Sequence, residues 1–227
     1  MTIATRLVIL VTLSSMCILG AALWREYRLS RDTVLERLEQ QSRDTIAAAI
    51  GDLENLLENL RGSALLLGRL LSRVDYSEAQ MRGLVRDMVE HNSAVYGATI
   101  ALNPAETADG QGFAPYFYRH ADTLDEVDLA RDNAAYSRES WYLETVAAGQ
   151  PLWVEPYFDR YGARVLMTTF SVPVYRRGAV GADNLYAVVT ADLTLEDIQG
   201  YLDRLPLGEH GRSLLLSRRG TVIAHPD

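Results

Sequence analysis

The 227-residue sequence contains no lysine: all 22 of its basic residues are arginine, set against 30 acidic residues for a net charge of −8. Lysine Schiff-base and P-loop lysine chemistry are thereby excluded, and the acidic balance argues against nucleic acid, whose phosphates such a chain repels. A single cysteine, Cys17, cannot close an intramolecular disulfide and lies inside an apolar run. Histidine is scarce: His91, His120, His210 and His225 are scattered without metal-site spacing, so neither a metal nor another cofactor is expected. GxSxG, HExxH, Walker and GxGxxG patterns are all missing, and an enzyme has no legible catalytic motif here. Hydrophobic residues make up 48% of the chain, enough for one packed domain of ordinary size with a helical extension.

One uncharged apolar run is present, Leu7 to Leu23, bounded by Arg6 and by Trp24-Arg25, with Trp24 and Tyr27 where interfacial aromatics sit. As a helix it spans about 26 Å, just enough for a bilayer core. A cleaved signal peptide is the competing reading, because Gly20, Ala21 and Ala22 could form a cleavage site. The helical pattern continues straight through that junction, which favours an uncleaved anchor. Arg25, Arg28 and Arg31 follow the run while only Arg6 precedes it. Charge bias alone therefore points the rest of the chain toward the cytoplasm, although folded domains translocate largely regardless of charge.

Beyond the membrane run, apolar or small residues recur from Leu35 through Leu38, Ser42, Ile46, Ala49, Leu53, Leu56, Leu60, Ala64, Leu67 and Leu71 to Val74. Their mean step of about 3.5 to 3.6 predicts one long helix, either a dimerising stalk or a core-covering element. Gly51, Gly62 and Gly68 suggest close packing or a bend in its second half. Tyr76-Ser77-Glu78 begins a second amphipathic helix that buries Met81, Leu84, Val85, Met88 and Val89.

The remainder reads mainly as strands: Ala94–Leu102, Phe113–Arg119, Leu152–Phe158, Arg164–Val172 and Leu185–Leu193. The acidic segment from His120 to Asn133 is expected to be a solvated loop. A short helix starts around Ser140 and stops at Gly149, and Thr194 with Asp197 caps another that ends near Arg204. In the Leu185–Leu193 strand, alternation puts Tyr186, Val188, Thr190 and Asp192 on one face. Arg212 to Ala224 reads as a hairpin turning at Arg219-Gly220, too small to bury a core of its own. The fold class expected is α+β, with an antiparallel sheet carried on the long helix.

Between Tyr136 and Asp159 the chain concentrates Tyr136, Trp141, Tyr142, Trp153 and Tyr157 among Glu139 and Asp159, and Asp192 closes a later strand. Large aromatics mixed with carboxylates make a candidate small-molecule pocket, with Tyr118 as a further strand candidate. Each has a bland alternative. Trp141 and Trp153 could be core, Asp192 could help cap the helix at Thr194, and Asp159 could stabilise a turn with Arg160 and Gly162.

The order of long helix, second helix, strands, WY helix, W-x-E-P-Y-x-D, TTFSVPV, TADLTLE and GRSLLLSRRGTVIAHPD resembles the extracytoplasmic double Cache sensors. The WVEPYFD and VVTADLTLE blocks look most like Cache modules fronting SpoIIE-type serine phosphatases, with sensor histidine kinases and chemoreceptors as relatives. The resemblance implies two PAS-like modules on one N-terminal helix, the membrane-distal one binding ligand. It divides the chain into a cytoplasmic N-terminus 1–6, a transmembrane helix 7–24, a stalk helix 25–75, a distal Cache module 76–204 and the incomplete start of a proximal module 205–227. It also implies an inner-membrane location with a periplasmic sensor, a homodimer formed through the stalk, and an output domain that is not in this chain.

In the amino-acid-binding branch of that family, an arginine two residues before the Trp of the WY pair holds the ligand carboxylate. The PYxD acid and the strand-end acid hold its ammonium. Here Trp141, Tyr142, Tyr157, Asp159 and Asp192 match, but Glu139 stands where the arginine would be, and Arg138 is one place off. The expected ligand is therefore amine-bearing or cationic, caged by Trp141, Tyr142, Trp153 and Tyr157. The competing function is a small membrane-anchored interaction protein, or a truncated receptor, without ligand or output.

Overall fold

The structure is a computed structural model that describes residues 3–108, 110–121, 123–132, 136–176, 181, 184–205, 212–217 and 219–225. It divides into two units, residues 1–50 and 51–227. Helix α1 (Ile3–Leu71) begins in the first and continues into the second.

In the first unit, Ile9–Arg28 is long and apolar enough to cross a membrane, with a mean hydropathy of 1.4. Its hydroxyls turn back on the helix, Thr12 donating to the Ile9 carbonyl and Ser14 to that of Val11, both at 3.0 Å. Such internal satisfaction is what a lipid-facing helix requires of its polar groups. At the end of the span the Arg28 guanidinium lies 5.6 Å from the Trp24 ring centroid.

The second unit is built on a six-stranded antiparallel sheet of order β3-β2-β1-β6-β5-β4. The strands are β1 (Gly97–Leu102), β2 (Pro115–His120), β3 (Thr123–Asp128), β4 (Leu152–Phe158), β5 (Leu166–Tyr175) and β6 (Leu185–Thr194). One face is covered by the end of α1 and by α2 (Glu78–His91). Leu60, Ala64, Leu67, Leu71, Met81, Val85 and Val89 pack there on Ile100, Phe170, Val172, Val189 and Ala191. The apolar stripe on this part of α1 therefore serves the core of the second unit. Gly68 sits where a Cβ would lie 3.1 Å from Val172 Cγ1, so close packing explains it. Gly51 and Gly62 face open space, contrary to the close-packing expectation.

Helix α2 starts on the reciprocal capping box of Ser77 and Gln80. Its far end is held by Arg119, whose guanidinium donates to the carbonyls of Val89, Asn92 and Val95. The opposite face of the sheet carries α3 (Leu129–Asp132), a 3-10 turn at Tyr136–Arg138 and α4 (Ser140–Ala148). Gly149, at φ 64°, ends α4 in the left-handed conformation and returns its N–H to the Thr145 carbonyl. Helix α5 (Leu195–Asp203) is capped by Thr194, whose side chain accepts from the Asp197 N–H. Strands β7 (Leu215–Leu216) and β8 (Val222–Ala224) form a separate hairpin turning at Gly220.

Two expectations are corrected. The segment from His120 to Asn133 is not a loop where it is described: Thr123–Asp128 is strand β3, paired residue by residue with β2, and Leu129–Asp132 is helical. An edge strand tolerates, and is protected by, the acids that hide its alternation. Tyr186 does not share a face with Asp192. The β5–β6 register shifts between Val174 and Tyr175, and Tyr186 packs with the α2 side, its hydroxyl 3.9 Å from Met81 Sδ. Most of the Arg176–Asn184 connection lies outside the described residues.

Candidate functional site

Between the sheet and α4 lies a narrow cleft lined by Thr99, Tyr116, Leu129, Trp141, Tyr157, Asp159, Met167, Thr190 and Asp192. Its floor is a strip of side chains from the three central strands. Thr169 and Asp192 are direct cross-strand partners, as are Thr99 and Thr190. Alternation of TTFS in β5 and TAD in β6 sends hydroxyls and a carboxylate to this face while Phe170, Val172 and Ala191 go to the other. The Thr99 hydroxyl donates to the Pro115 carbonyl at 2.8 Å, and the Thr190 hydroxyl accepts from the Thr99 N–H at 3.2 Å.

Asp192, only 2% exposed, accepts from the Thr169 hydroxyl at 2.7 Å. Its pKa is raised to about 7, first by burial and then by the Asp159 carboxylate, against which Thr169 and Tyr116 work. Asp159 sits at the start of the 159–163 turn and holds it together. Its carboxylate accepts from the N–H groups of Tyr161 at 3.3 Å, Gly162 at 3.1 Å and Ala163 at 2.6 Å. The turn-forming alternative for Asp159 is thus real, and the same side chain still lines the cleft.

Tyr157 reaches the site because β4 is irregular. The register shifts between Val154 and Tyr157, around Pro156, and the extra residue reverses the alternation. Tyr157 therefore faces the cleft and its hydroxyl meets the Thr169 hydroxyl at 2.9 Å. Burial, together with Asp192, drives the Tyr157 pKa well upward. Trp153, on the other side of the same shift, packs with the opposite core at 5.3 Å from the Phe170 ring centroid. The four-ring cage expected from sequence is therefore not assembled.

Trp141 lines the cleft from α4, while Tyr142 and Tyr136 stand behind it as core. Tyr142 meets Trp141 edge-on at 5.8 Å, and Tyr136 lies 6.5 Å from Trp141 with its hydroxyl on the Leu102 carbonyl. Tyr118 stacks on Tyr116 at 5.5 Å outside the lining. Glu139 is the residue before α4 and raises the Tyr157 pKa through its charge, so it stands near the site without lining it. Arg138 is exposed and is not among the lining side chains.

Sequence reading missed Thr99, Tyr116, Thr169 and Thr190. The signal available for the threonines was hydroxyls at alternate positions in otherwise apolar buried strands. Tyr116 carried none, because it reads as one aromatic among several in FAPYFYR.

Two further features lie apart from the cleft. A larger open groove of about 640 Å³ between α2 and strands β2 and β3 is lined by Arg86, Glu90, Arg119 and Glu126. Its charges are satisfied locally: Arg86 pairs with Glu90, Glu126 with Arg82, and Arg119 is spent on backbone carbonyls. Asp87, Glu90 and His91 cluster within 4.8 Å on the outside of α2, all three exposed, a spacing that sequence reading passed over.

The family model for methyl-accepting chemotaxis protein-like proteins, first PDC sensor domain, matches residues 81–200. Methyl-accepting chemotaxis protein PctB of Pseudomonas aeruginosa is 30% identical over 90 residues, which make up 40% of this chain and 13% of PctB. This chain thus matches only a small part of that relative's length. Among solved structures, the extracellular domain of a histidine kinase, soHK1S-Z6, superposes with a TM-score of 0.67 at 22% identity, over 79% of this chain and 67% of that one. The ligand-binding domain of Campylobacter jejuni chemoreceptor Tlp3, in complex with 4-methylisoleucine, gives 0.59 at 15% identity over 82% and 68%. With the sheet, the covering helices and the family match in agreement, the chain belongs to the methyl-accepting chemotaxis protein-like family of first PDC (Cache) sensor domains.

Proposed function

We propose that this chain is the extracytoplasmic sensor region of a membrane-bound signalling receptor and that it binds an amine-bearing or cationic small molecule between Asp159, Asp192, Trp141 and Tyr157. The observation that carries the ligand class is the lining itself, which includes two carboxylates and no basic side chain. A buried carboxylate such as Asp192 facing a second acid without a cation is costly, and an ammonium group supplies the missing charge. Trp141 and Tyr157 line the same cleft and supply aromatic rings beside such a group. In this reading residues 7–24 anchor the chain in the inner membrane, 25–75 form the stalk and 76–204 the ligand-binding module. Residues 205–227 open a second module, two copies pair through α1, and the response is made by an output domain rather than by catalysis within this chain.

Ligand state has a short route out of the site. Helix α4 carries both Trp141 and Glu144, and β4 carries both Tyr157 and Glu155. Arg219 of the β7–β8 hairpin pairs with Glu144 at 3.3 Å and with Glu155 at 3.4 Å. A ligand that shifts Trp141 or Tyr157 therefore moves elements tied directly to the hairpin.

Thermal unfolding of the full chain in detergent micelles, with 1,4-diaminobutane, choline, α-amino acids and dicarboxylates in parallel, tests the ligand class. Stabilisation by the amines supports it, and stabilisation by dicarboxylates alone overturns it.

A further inference from the structure

We propose that the apolar groove between α1 and α2 seats a second copy of this chain, with Arg69 and Arg73 of each copy facing Asp87 of the other. The proposal rests on the pairing through α1 given above and extends it from the stalk onto the second unit.

Helix α2 returns along the end of α1 and is fixed there by Asn92, whose side-chain amide donates to Asn59 Oδ1 at 2.9 Å and to Ser63 Oγ at 2.7 Å. The inner rows of the two helices join the core through Leu60, Ala64, Leu67, Met81 and Val85. Their outer rows do not close. Leu66 and Leu70 from α1 and Leu84 and Met88 from α2 line an open groove of about 360 Å³. Leu66 is 60% exposed, Leu70 37% and Val74 49%, at the spacing of four that sets them in one row along the helix. The core does not use these side chains, and a contiguous apolar row left open to water marks a surface that another surface covers.

Charge selects the occupant. Arg69 and Arg73 follow Leu66 and Leu70 by three residues, whereas Leu67 and Leu71 turn toward the core, so the arginines edge the apolar row on the side away from α2. Asp87 stands on the α2 side of the groove. All three are exposed, and none makes an ion pair among the described residues. One edge is therefore basic and the other acidic. A two-fold axis along the groove exchanges the edges, bringing the arginines of one copy to the aspartate of the other and the leucine rows together. A partner of one charge sign would be attracted by one edge and repelled by the other.

The experiment is disulfide cross-linking of the full chain in detergent micelles, on a Cys17→Ser background. Single cysteines are introduced by Leu66→Cys in the groove, Ile46→Cys in the stalk and Thr123→Cys on β3. Leu66→Cys is expected to yield at least about tenfold more covalent dimer than Thr123→Cys. Adding Arg69→Glu and Arg73→Glu is expected to cut that dimer at least about tenfold, and adding Asp87→Arg to those two is expected to bring it back. Cross-linking at Ile46 with none at Leu66 overturns the groove while the stalk pairing stands, and cross-linking at neither overturns both. A Leu66 dimer that ignores the charge reversals overturns the facing of arginine and aspartate.

Discussion

Asp192 accepts a hydrogen bond from the Thr169 hydroxyl at 2.7 Å, directly across the β5–β6 ladder and beneath the Tyr157 hydroxyl, which meets the same threonine at 2.9 Å. The neutral hydroxyls of Thr169 and Tyr116 are scant compensation for a carboxylate 2% exposed and facing a second acid. Asp192, with its pKa raised to about 7, therefore takes up a proton near neutral pH.

The first prediction concerns stability. The Asp192 pKa rises from about 3.9 in the unfolded chain to about 7 in the folded one. Between those values the folded state binds more protons. The stability from this group is full below pH 4, falls as pH rises and is lost once pH passes about 7. The difference amounts to about 4 kcal/mol. Asp192→Asn keeps an acceptor for Thr169 and removes the charge. It is expected to flatten the pH dependence of the unfolding free energy between about pH 4 and pH 7 and to be the more stable protein at pH 8. A slope in that window unchanged by the substitution contradicts the assignment.

A second prediction follows for binding. A cation binds the deprotonated Asp192, so affinity for an amine rises from pH 6 to pH 8 and binding near neutrality releases protons. Calorimetry in buffers of different ionisation enthalpy reads that release directly. In Asp192→Asn, both the binding and the proton release are expected to disappear.

Asp159 carries two roles, and they are separable. Asp159→Ala removes the acceptor of three backbone N–H groups in the 159–163 turn and is expected to cost about 1–3 kcal/mol as well as ligand binding. Asp159→Asn keeps part of that acceptor and is expected to recover stability without recovering binding. Denaturant titration alongside ligand titration separates the two, and recovery of both by asparagine would show that the charge is not used.

The glycines make a matched set. Gly162→Ala places a methyl group against Tyr116 and Asp159, with an expected loss of about 1–3 kcal/mol from forced displacement. Gly62→Ala, in the interior of α1 with nothing within 4 Å of its Cβ, is expected to stabilise by roughly 0.5–1 kcal/mol. Urea unfolding of the two variants in the same buffer checks the contrast.

Trp153→Ala is expected to lower stability by about 2–4 kcal/mol through the packing it gives up against Phe170, while amine affinity in the folded chain stays within about twofold. A large loss of affinity in a chain that remains folded would return Trp153 to the site.

Much of the frame was legible from residues. The Ser77 capping signal, the Gly149 stop, the alternation of β5 and β6 and the apolar stripe from Leu60 to Leu71 all correspond to observed elements. What misled were places where the strands depart from strict alternation. The shift around Pro156 turns Tyr157 inward and Trp153 away, and the shift at Tyr175 sends Tyr186 to the opposite core. A period-two count cannot register an extra residue. Strand β3 was hidden because edge position lets Asp125 and Glu126 replace apolar residues. Asp192 could be singled out because an acid ending an apolar run is conspicuous, whereas Tyr116 became a site residue only once folding set it over Gly97 and Gly162.

The most direct measurement is the crystal structure of the sensor-bearing chain grown with 1,4-diaminobutane. The account predicts one ammonium nitrogen within hydrogen-bonding distance of Asp159 and Asp192, beside Trp141 and Tyr157. Density for the amine in the groove lined by Arg86, Glu90, Arg119 and Glu126, with the Asp159–Asp192 cleft unchanged, would contradict it.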